Sequence, residues 1–356
     1  DKFVQRSSGI FGSTGTGKSF LTRIILAGLM KYDHASVMVF DMHNEYGVDD
    51  IASDTHQRVP GLRSKFPVKV RLVGLGARTD IRGQTPDFSL EIDEKDIKPE
   101  DIELLTRELN LKETTPTTLE ALQQSFGADW FSEFKHLENG RTEEDENGKR
   151  IPSADSTEGW ALENGVNIAA AVGLRSKLQR MFNLPYIISN PAQNGLTQII
   201  QALEAGQHVV LSFGEYERDL DYLLVTNLIT RKIRERWAES TNKYRGHGEK
   251  EPRPLVVVVE EAHKLLNREM ANQTSFSTIA REMRKYYVTL LIVDQRPSQI
   301  YDEVMSQLGT RISGKLEDDA DLSAVLAGVA GKGTLRGMLA HLQPEEEELL
   351  LGGGVP

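Results

Sequence analysis

The sequence predicts an α/β fold with a mostly parallel sheet and a helical insertion. Short apolar runs of strand length alternate with segments whose apolar residues recur at helical spacing, which is the rhythm of βαβ units. The predicted strands are residues 3–11, 36–40, 68–73, 208–213, 255–259 and 288–293. The run at residues 255–259 contains no polar residue, as expected of a strand buried on both faces of a parallel sheet.

A glycine-rich turn joins the first predicted strand to the first predicted helix. It reads Gly12-Ser13-Thr14-Gly15-Thr16-Gly17-Lys18-Ser19 and fits G-x-x-x-x-G-K-[ST], the phosphate-binding P-loop. The glycines let successive backbone N–H groups point at one anion. Lys18 adds a positive charge for the β- and γ-phosphates, and Ser19 offers a hydroxyl to Mg²⁺. The sequence therefore predicts a P-loop NTPase in which all eight residues bind the nucleotide.

Two carboxylates stand directly after the apolar run at residues 255–259. Glu260 and Glu261 come where the predicted strand ends, which is the edge of a parallel sheet where ligands bind. NTP hydrolysis needs one acid in the Mg²⁺ shell and a group that acts on the attacking water. This is the pattern of a Walker B element, so we expect Glu260 to hold Mg²⁺, directly or through water, and Glu261 to polarise the water. The alternative is a strand that simply ends at the surface with charged residues.

Polar residues beside the next predicted strand are further candidates. Gln295 follows the run at residues 288–293, where its amide can hydrogen-bond the γ-phosphate or the water. The alternative is a glutamine that caps a loop. Arg281 and Arg284 lie three apart on a predicted helix at residues 275–286, so they share a face. From that face one arginine can reach the nucleotide of a neighbouring subunit as an arginine finger, and the alternative is an exposed basic face.

A polar cluster also ends the predicted strand at residues 36–40. Asp41 is a candidate for supporting the Mg²⁺ shell from this position. Metal binding by His43 together with Asp41 is the weaker interpretation, because the 8 histidines are scattered and no HExxH spacing occurs.

The pattern of the chain changes between residues 76 and 195. Helices are predicted from Pro99 and at residues 118–126 and 169–181, whereas the charged segment 136–157 reads as a mobile loop. The α/β rhythm returns at residue 208, and a long helix is predicted at residues 219–237. We therefore predict an ATPase core from residues 1–75 and 196–356, with residues 76–195 as a mainly helical insertion or cap.

Composition limits the classes of protein to consider. The chain of 356 residues has no cysteine, which excludes disulfides, thiolate metal sites and thiol catalysis. No apolar run reaches the ~18 residues of a membrane span, so we expect a cytoplasmic protein without a membrane contact. The net charge of −11 is not that of a protein that coats nucleic acid with one basic face. A ring can nevertheless line its pore with a few basic residues, so a nucleic-acid motor stays open.

Five segments together resemble the HerA group of the HerA/FtsK ATPases. They read GSTGTGKS, VFDMHNEYG, VVVVEEAHKLL, IAREMRKYYVTLLIVDQRPSQI and LEDDADLSAVL. The resemblance runs from about Val4 to Gly353, more weakly through the insertion, and is most specific at residues 281–298. It implies a RecA-like core with a helical cap, a homo-hexameric ring, ATP-driven translocation on double-stranded DNA, and a nuclease partner.

The resemblance also implies roles for individual residues. Lys18 and Ser19 match the Walker A residues of the family, Glu261 matches its catalytic acid, and Gln295 matches its sensor. Residues 281–285 match an R-E-x-R-K segment in which a trans-acting arginine is expected, with Met283 where the family commonly has glycine. Only eleven residues precede the P-loop. We therefore expect a fragment that lacks the N-terminal β-barrel of the family, which leaves its assembly open.

The sequence thus predicts an ATPase of HerA type that uses ATP and Mg²⁺ and acts as a ring on double-stranded DNA with a nuclease or defence effector. Two alternatives stay open. One is a conjugation or secretion ATPase of the same superfamily. The other is an oligomeric scaffold in which ATP binding assembles a nuclease or defence complex.

Overall fold

A computed structural model describes residues 3–51, 56–77, 80–270, 279, 281–329, 331–343 and 349–352. The chain divides into two compact units, one of Asp1–Ser89 with Leu196–Pro356 and one of Leu90–Gly195. The described strands are β1 (Ser8–Phe11), β2 (Ser36–Asp41), β3 (Asp50–Ile51), β4 (Arg58–Val59), β5 (Val70–Leu75), β6 (Phe88–Leu90), β7 (Ile92–Asp93), β8 (Thr142–Glu144), β9 (Arg150–Pro152), β10 (Ile187–Ile188), β11 (His208–Ser212), β12 (Leu255–Glu260), β13 (Val288–Asp294), β14 (Thr310–Ser313) and β15 (Leu349–Gly352). The described α-helices are α1 (Lys18–Tyr32), α2 (Leu62–Lys65), α3 (Pro99–Glu103), α4 (Thr115–Phe126), α5 (Trp130–His136), α6 (Thr157–Glu163), α7 (Ile168–Phe182), α8 (Gly195–Glu204), α9 (Asp219–His247), α10 (His263–Leu266), α11 (Asp302–Gln307), α12 (Asp319–Val325) and α13 (Lys332–His341).

A nine-stranded sheet forms the centre of the first unit, in the order β15-β14-β1-β13-β12-β2-β11-β5-β6. The pairs from β14 through β1, β13, β12, β2 and β11 to β5 are parallel, and β15 runs antiparallel to β14. In the register, Phe11 pairs with Asp294 and Glu260 pairs with Val293. The carboxyl ends of β1, β12 and β13 therefore meet at one edge of the sheet, and the loops that follow them are neighbours.

The central strands are apolar because the sheet is covered. Every residue of β2, β11, β12 and β13 is buried. Leu26 and Met30, one helical turn apart on α1, belong to the core cluster that also contains Val37 and Val39 of β2. This packing fixes α1, and with it the turn that precedes α1, against the sheet.

The second unit is mainly helical and has an aromatic core. Phe131 packs edge to face on Trp130 and on Phe182, with ring centroids 5.5 and 5.1 Å apart. The indole N–H of Trp130 donates to the carbonyl of Ile97 at 2.9 Å, so the polar atom of this buried ring is satisfied.

Several sequence-based predictions of elements need correction. The first strand begins only at Ser8, because Phe3–Gln5 form a 3₁₀ helix. The segment predicted as a mobile loop at residues 136–157 contains the hairpin of β8 and β9, whose alternation was hidden by its exposed charged residues. The helix predicted at 219–237 continues to His247. Of the helix predicted at 275–286, residues 275–278 and 280 lie outside the described residues, and Met283–Tyr286 are a 3₁₀ helix.

Among the described residues, we find no helix that combines the length and the apolar composition needed to cross a bilayer.

A buried histidine in the first unit leads to a prediction about acid stability. His208 begins β11 with 0% exposure, and neither of its ring nitrogens has a hydrogen-bond partner in the described part of the chain. Burial lowers the pKa of His208 to about 4, even though the charge of Asp33 opposes the shift. The unfolded chain therefore binds one more proton than the folded chain between pH 6.5 and about 4.

Because the folded state keeps His208 neutral, the contribution of this residue to the free energy of unfolding is complete above the unfolded pKa of 6.5. It is lost as the pH falls towards 4, because the unfolded chain gains a proton over this range. We expect the contribution of His208 to the free energy of unfolding to fall by roughly 3 kcal/mol across that window. Urea unfolding of the wild type and of His208→Gln at a series of pH values measures it, because carboxylate titration is common to both proteins. If the free energy of unfolding changes with pH equally steeply in the two proteins, the prediction is wrong.

Candidate active site

The turn between β1 and α1 has the backbone that a phosphate-binding loop requires. Three glycines of this turn have positive φ angles, which residues other than glycine rarely adopt. The angles are 155° at Gly12, 77° at Gly15 and 80° at Gly17. At Gly12 a Cβ atom would also lie 2.5 Å from Oγ1 of Thr16. Gly17 is the N-cap residue of α1, so the free N–H groups and the positive end of the helix dipole face this turn.

Hydrogen bonds inside the loop hold its lysine over the turn. Nζ of Lys18 donates to the carbonyl of Ser13 at 2.9 Å, and Oγ1 of Thr16 donates to the same carbonyl at 2.8 Å. The N–H of Ser13 donates to the carbonyl of Lys315 at 2.9 Å, which anchors the loop. Burial lowers the pKa of Lys18, and the charges of Glu261 and other carboxylates partly offset that effect. The ammonium therefore lies in a half-buried, acidic surrounding, close to the free N–H groups.

A pocket of about 330 Å³ opens beside this loop. Its described lining residues are Thr14, Gly15, Gly17, Lys18, Ser19, Phe20, His43, Glu45, Glu260, Glu261, Val293, Asp294 and Gln295. The pocket brings together most of the predicted site residues from three separate loops. The other three P-loop residues are not among the described residues that line the pocket; they are Gly12, Ser13 and Thr16.

Glu260 is a buried residue of the pocket lining that contacts two tyrosines. The hydroxyl of Tyr46 donates to its Oε1 at 2.5 Å, and the hydroxyl of Tyr222 donates to its backbone carbonyl at 2.6 Å. Burial, together with the charge of Asp41, raises the pKa of the Glu260 carboxyl well above its ordinary value. Its Oε2 atom is buried and has no hydrogen-bond partner in the described chain.

The oxygen atoms that Ser19 and Glu260 contribute suit a magnesium ion that keeps water and phosphate ligands. Ser19 supplies a hydroxyl oxygen and Glu260 supplies a carboxylate oxygen to one pocket, and Mg²⁺ prefers such hard oxygen ligands. No cluster of three or more metal-binding side chains occurs among the residues that the structure describes. Mg²⁺ is usually bound through one or two carboxylates plus substrate phosphates.

Glu261 is joined to the P-loop through Gln295. Oγ1 of Thr14 donates to Oε1 of Gln295 at 2.9 Å, and Nε2 of Gln295 lies 3.4 Å from Oε1 of Glu261. Glu261 itself has a φ of 47°, a left-handed conformation that costs free energy in a glutamate. The backbone carbonyl of Glu261 accepts the N–H of Lys264 at 2.8 Å, and Glu261 lines the pocket.

His263 and Asp294 also belong to this site, and sequence reasoning assigned no role to either. The backbone N–H of His263 donates to Oδ2 of Asp294 at 2.7 Å, and the Nδ1 atom of the same ring lies 3.0 Å from that oxygen. Nε2 of His263 lies 3.7 Å from Oε2 of Glu261. Asp294 directly precedes Gln295, and His263 is two residues after Glu261, so closeness to predicted site residues could have identified them.

Asp41 has a different role from the one expected. Its Oδ1 accepts the N–H of Glu45 at 2.7 Å, and its Oδ2 accepts those of Tyr46 and Gly47 at 3.0 and 2.9 Å. Both oxygens therefore close the turn after β2 and are not among the described lining of the pocket. This turn positions Tyr46 against Glu260, so Asp41 supports the Glu260 carboxyl indirectly.

Arg281 and Arg284 do not take part in the pocket of their own chain as far as the structure describes it. The described lining includes neither of them, and both are exposed. Nη1 of Arg281 lies 3.6 Å from Oε2 of Glu303, which is an ion pair at the surface. Their guanidinium groups are therefore available to a neighbouring molecule at modest cost.

A family model described as "Helicase HerA, central domain" matches residues 1–233. The chain belongs to this HerA family. The DNA double-strand break repair helicase HerA of Sulfolobus acidocaldarius is 25% identical over 327 residues, which are 91% of this chain and 57% of that protein. The DNA double-strand break repair helicase HerA of Pyrococcus furiosus is 21% identical over 348 residues, which are 92% of this chain and 59% of that protein. The chain therefore spans less than two thirds of these HerA relatives.

Three solved structures share this fold at low sequence identity. The bacterial conjugative coupling protein TrwBΔN70 has a TM-score of 0.58 at 12% identity and covers 100% of this chain and 84% of its own. VirB4 of Thermoanaerobacter pseudethanolicus has a TM-score of 0.54 at 12% identity, with 98% of this chain and 90% of its own covered. TrwB in complex with ADP and Mg²⁺ has a TM-score of 0.56 at 13% identity, with 99% and 84% covered. The predicted fold class, a RecA-like P-loop NTPase, is confirmed, as is the HerA resemblance.

Proposed function

We propose that this HerA-family chain hydrolyses ATP with Mg²⁺ and uses the turnover to move along double-stranded DNA as part of a ring. The observation that carries this proposal is the contact path from Thr14 through Gln295 to Glu261, which links the P-loop to the end of the Walker B strand within one pocket. A site built for ATP binding alone does not need a carboxylate held towards the phosphates by an amide. The HerA relatives, which are named as DNA repair helicases, support DNA as the substrate.

The residues of the pocket have distinct tasks in this proposal. The N–H groups from residue 12 to residue 19 and the ammonium of Lys18 bind the phosphates. Ser19 and Glu260 would hold Mg²⁺, which would supply positive charge against the charge of the phosphates. Glu261 orients the attacking water and accepts its proton. Gln295 touches both the P-loop and Glu261, so loss of the γ-phosphate changes its contacts and reports turnover to β13.

The assembly and its partners are part of the same proposal. We infer a homo-hexamer in the cytoplasm, in which residues 1–75 and 196–356 form the motor core and residues 76–195 form a cap. The exposed position of Arg281 and Arg284 supports arginine action on a neighbour's nucleotide. The HerA resemblance supports a nuclease or defence effector as the protein partner.

An ATPase assay with and without duplex DNA tests the proposal. We expect phosphate release that requires Mg²⁺, is abolished by EDTA and rises several-fold when duplex DNA is added. Lys18→Ala is the control, because it removes the charge that binds the phosphates and should abolish release while the fold survives, as judged by circular dichroism. ATP binding without turnover in the wild type would contradict the proposal and favour the scaffold function. If duplex DNA does not change the rate of ATP hydrolysis, only the proposed movement along DNA is contradicted.

A further inference from the structure

The carboxylate of Glu261 is approached on both of its oxygens. Nε2 of Gln295 lies 3.4 Å from Oε1, and Nε2 of His263 lies 3.7 Å from Oε2. Glu261 also has a left-handed backbone at φ 47°, a conformation that costs free energy in a glutamate. The two neighbours contact different oxygens of the carboxylate, so together they can orient it.

His263 can act on Glu261 because Asp294 fixes its ring. The carboxylate of Asp294 is fully buried at the end of β13, where it also accepts the N–H of Arg296 at 2.6 Å. It accepts both the backbone N–H of His263 at 2.7 Å and the Nδ1 proton at 3.0 Å. This pair of bonds places the proton on Nδ1 and turns Nε2 towards Glu261.

The charges around the imidazole favour its protonated form. Burial opposes a charge on His263, but its hydrogen bond to Asp294 and the charges of Asp294 and Glu261 outweigh burial and raise its pKa above 6.5. The charge that opposes protonation is that of Lys264, whose Nζ lies 2.8 Å from Oδ1 of Asp219. The protonated ring has an Nε2–H that faces the Glu261 carboxylate.

We propose that His263 is a positioning residue for ATP hydrolysis, in which Asp294 fixes the imidazole and the Nε2–H of His263 holds Glu261 towards the attacking water. This inference rests on the proposed role of Glu261 in hydrolysis. The ring forms no bond to the nucleotide and takes no proton from the water. The ring instead sets the direction and the charge of the Glu261 carboxylate, and that carboxylate accepts the proton of the water.

Two amide substitutions separate this role from a purely structural one. In His263→Asn the amide reaches the place of Nδ1 and keeps the anchor to Asp294, but nothing reaches Glu261. In His263→Gln the amide reaches towards the place of Nε2 and loses the anchor. A structural role requires the Asp294 anchor, so it predicts that His263→Asn is benign and His263→Gln is harmful. Positioning of Glu261 predicts instead that His263→Asn loses more kcat than His263→Gln.

We expect His263→Asn to lower kcat by about 100-fold while KM for ATP and the unfolding temperature stay near the wild-type values. His263→Gln should retain more kcat than His263→Asn. In the wild type, kcat should fall as the pH rises through the folded pKa of His263, which lies above 6.5. Neither variant should show this alkaline limb.

Glu261→Gln, measured in parallel, separates the failure of this inference from that of the proposed function. If Glu261→Gln still hydrolyses ATP, the role proposed for Glu261 is wrong. If Glu261→Gln is inactive but His263→Asn keeps wild-type kcat, the inference on His263 is overturned. Should His263→Asn fail to fold, the pH profile of His263→Gln decides, because an alkaline limb unchanged from the wild type would overturn it.

Discussion

Glu261→Gln is expected to bind ATP about as tightly as the wild type and to lose nearly all hydrolysis. A glutamine keeps the shape of the side chain and can still meet Gln295, which lies 3.4 Å from Glu261. An amide cannot accept the proton of the attacking water, and a general base of this kind is worth roughly 10²- to 10⁴-fold in rate. Nucleotide binding by isothermal calorimetry and phosphate release, measured on the same preparation, check both parts of the prediction.

Glu260→Gln is the matched control for this prediction. Both variants replace a carboxyl group by an amide at neighbouring residues, but Glu260 is buried against Tyr46 whereas Glu261 faces Gln295. We expect Glu260→Gln to raise the Mg²⁺ concentration needed for turnover, since it removes a carboxylate ligand. If Glu261→Gln abolishes ATP binding and Glu260→Gln hydrolyses ATP normally, the two roles are exchanged.

The order of the motifs made the sheet edge predictable from sequence. The P-loop, the Glu260–Glu261 pair and Gln295 each follow an apolar run, and parallel strands bring their carboxyl ends to one edge. The register confirms this arrangement, since Phe11 pairs with Asp294 and Glu260 pairs with Val293. Periodicity and motif spacing are local properties of the chain, and they are enough to locate loops that share an edge.

The contacts within the site depend on distances that a sequence does not contain. Asp41 ends a buried strand and was a candidate for supporting the Mg²⁺ shell, but its oxygens accept three backbone N–H groups of the following turn. His263 and Asp294 lie 31 residues apart in sequence and meet only because β12 and β13 are neighbours. The pairing of Tyr46 with Glu260 spans 214 residues and likewise requires the tertiary fold.

The exposed arginines give the prediction with the largest expected effect. Neither Arg281 nor Arg284 is among the described residues that line the pocket of its own chain, and Arg281 forms an ion pair with Glu303 at the surface. An arginine supplied by a neighbouring subunit contributes roughly 10³- to 10⁵-fold to NTP turnover. We therefore expect Arg281→Ala or Arg284→Ala to bind ATP normally and to lose most hydrolysis. Arg336→Ala, which removes a partly exposed arginine paired with Asp319, is the matched control and should keep its activity.

Mixed assemblies test whether the arginine acts between subunits. A Lys18→Ala subunit cannot bind the phosphates but keeps its arginines, whereas an arginine variant keeps an intact pocket. Mixing the two inactive proteins should therefore restore part of the activity, because a Lys18→Ala subunit can present its arginine to the intact pocket beside it. Activity of the wild type should also rise steeply with protein concentration as the ring assembles. If light scattering and native mass spectrometry demonstrate mixed oligomers and no activity returns, the arginines act within their own subunit or on DNA, and the trans-acting arginine is wrong.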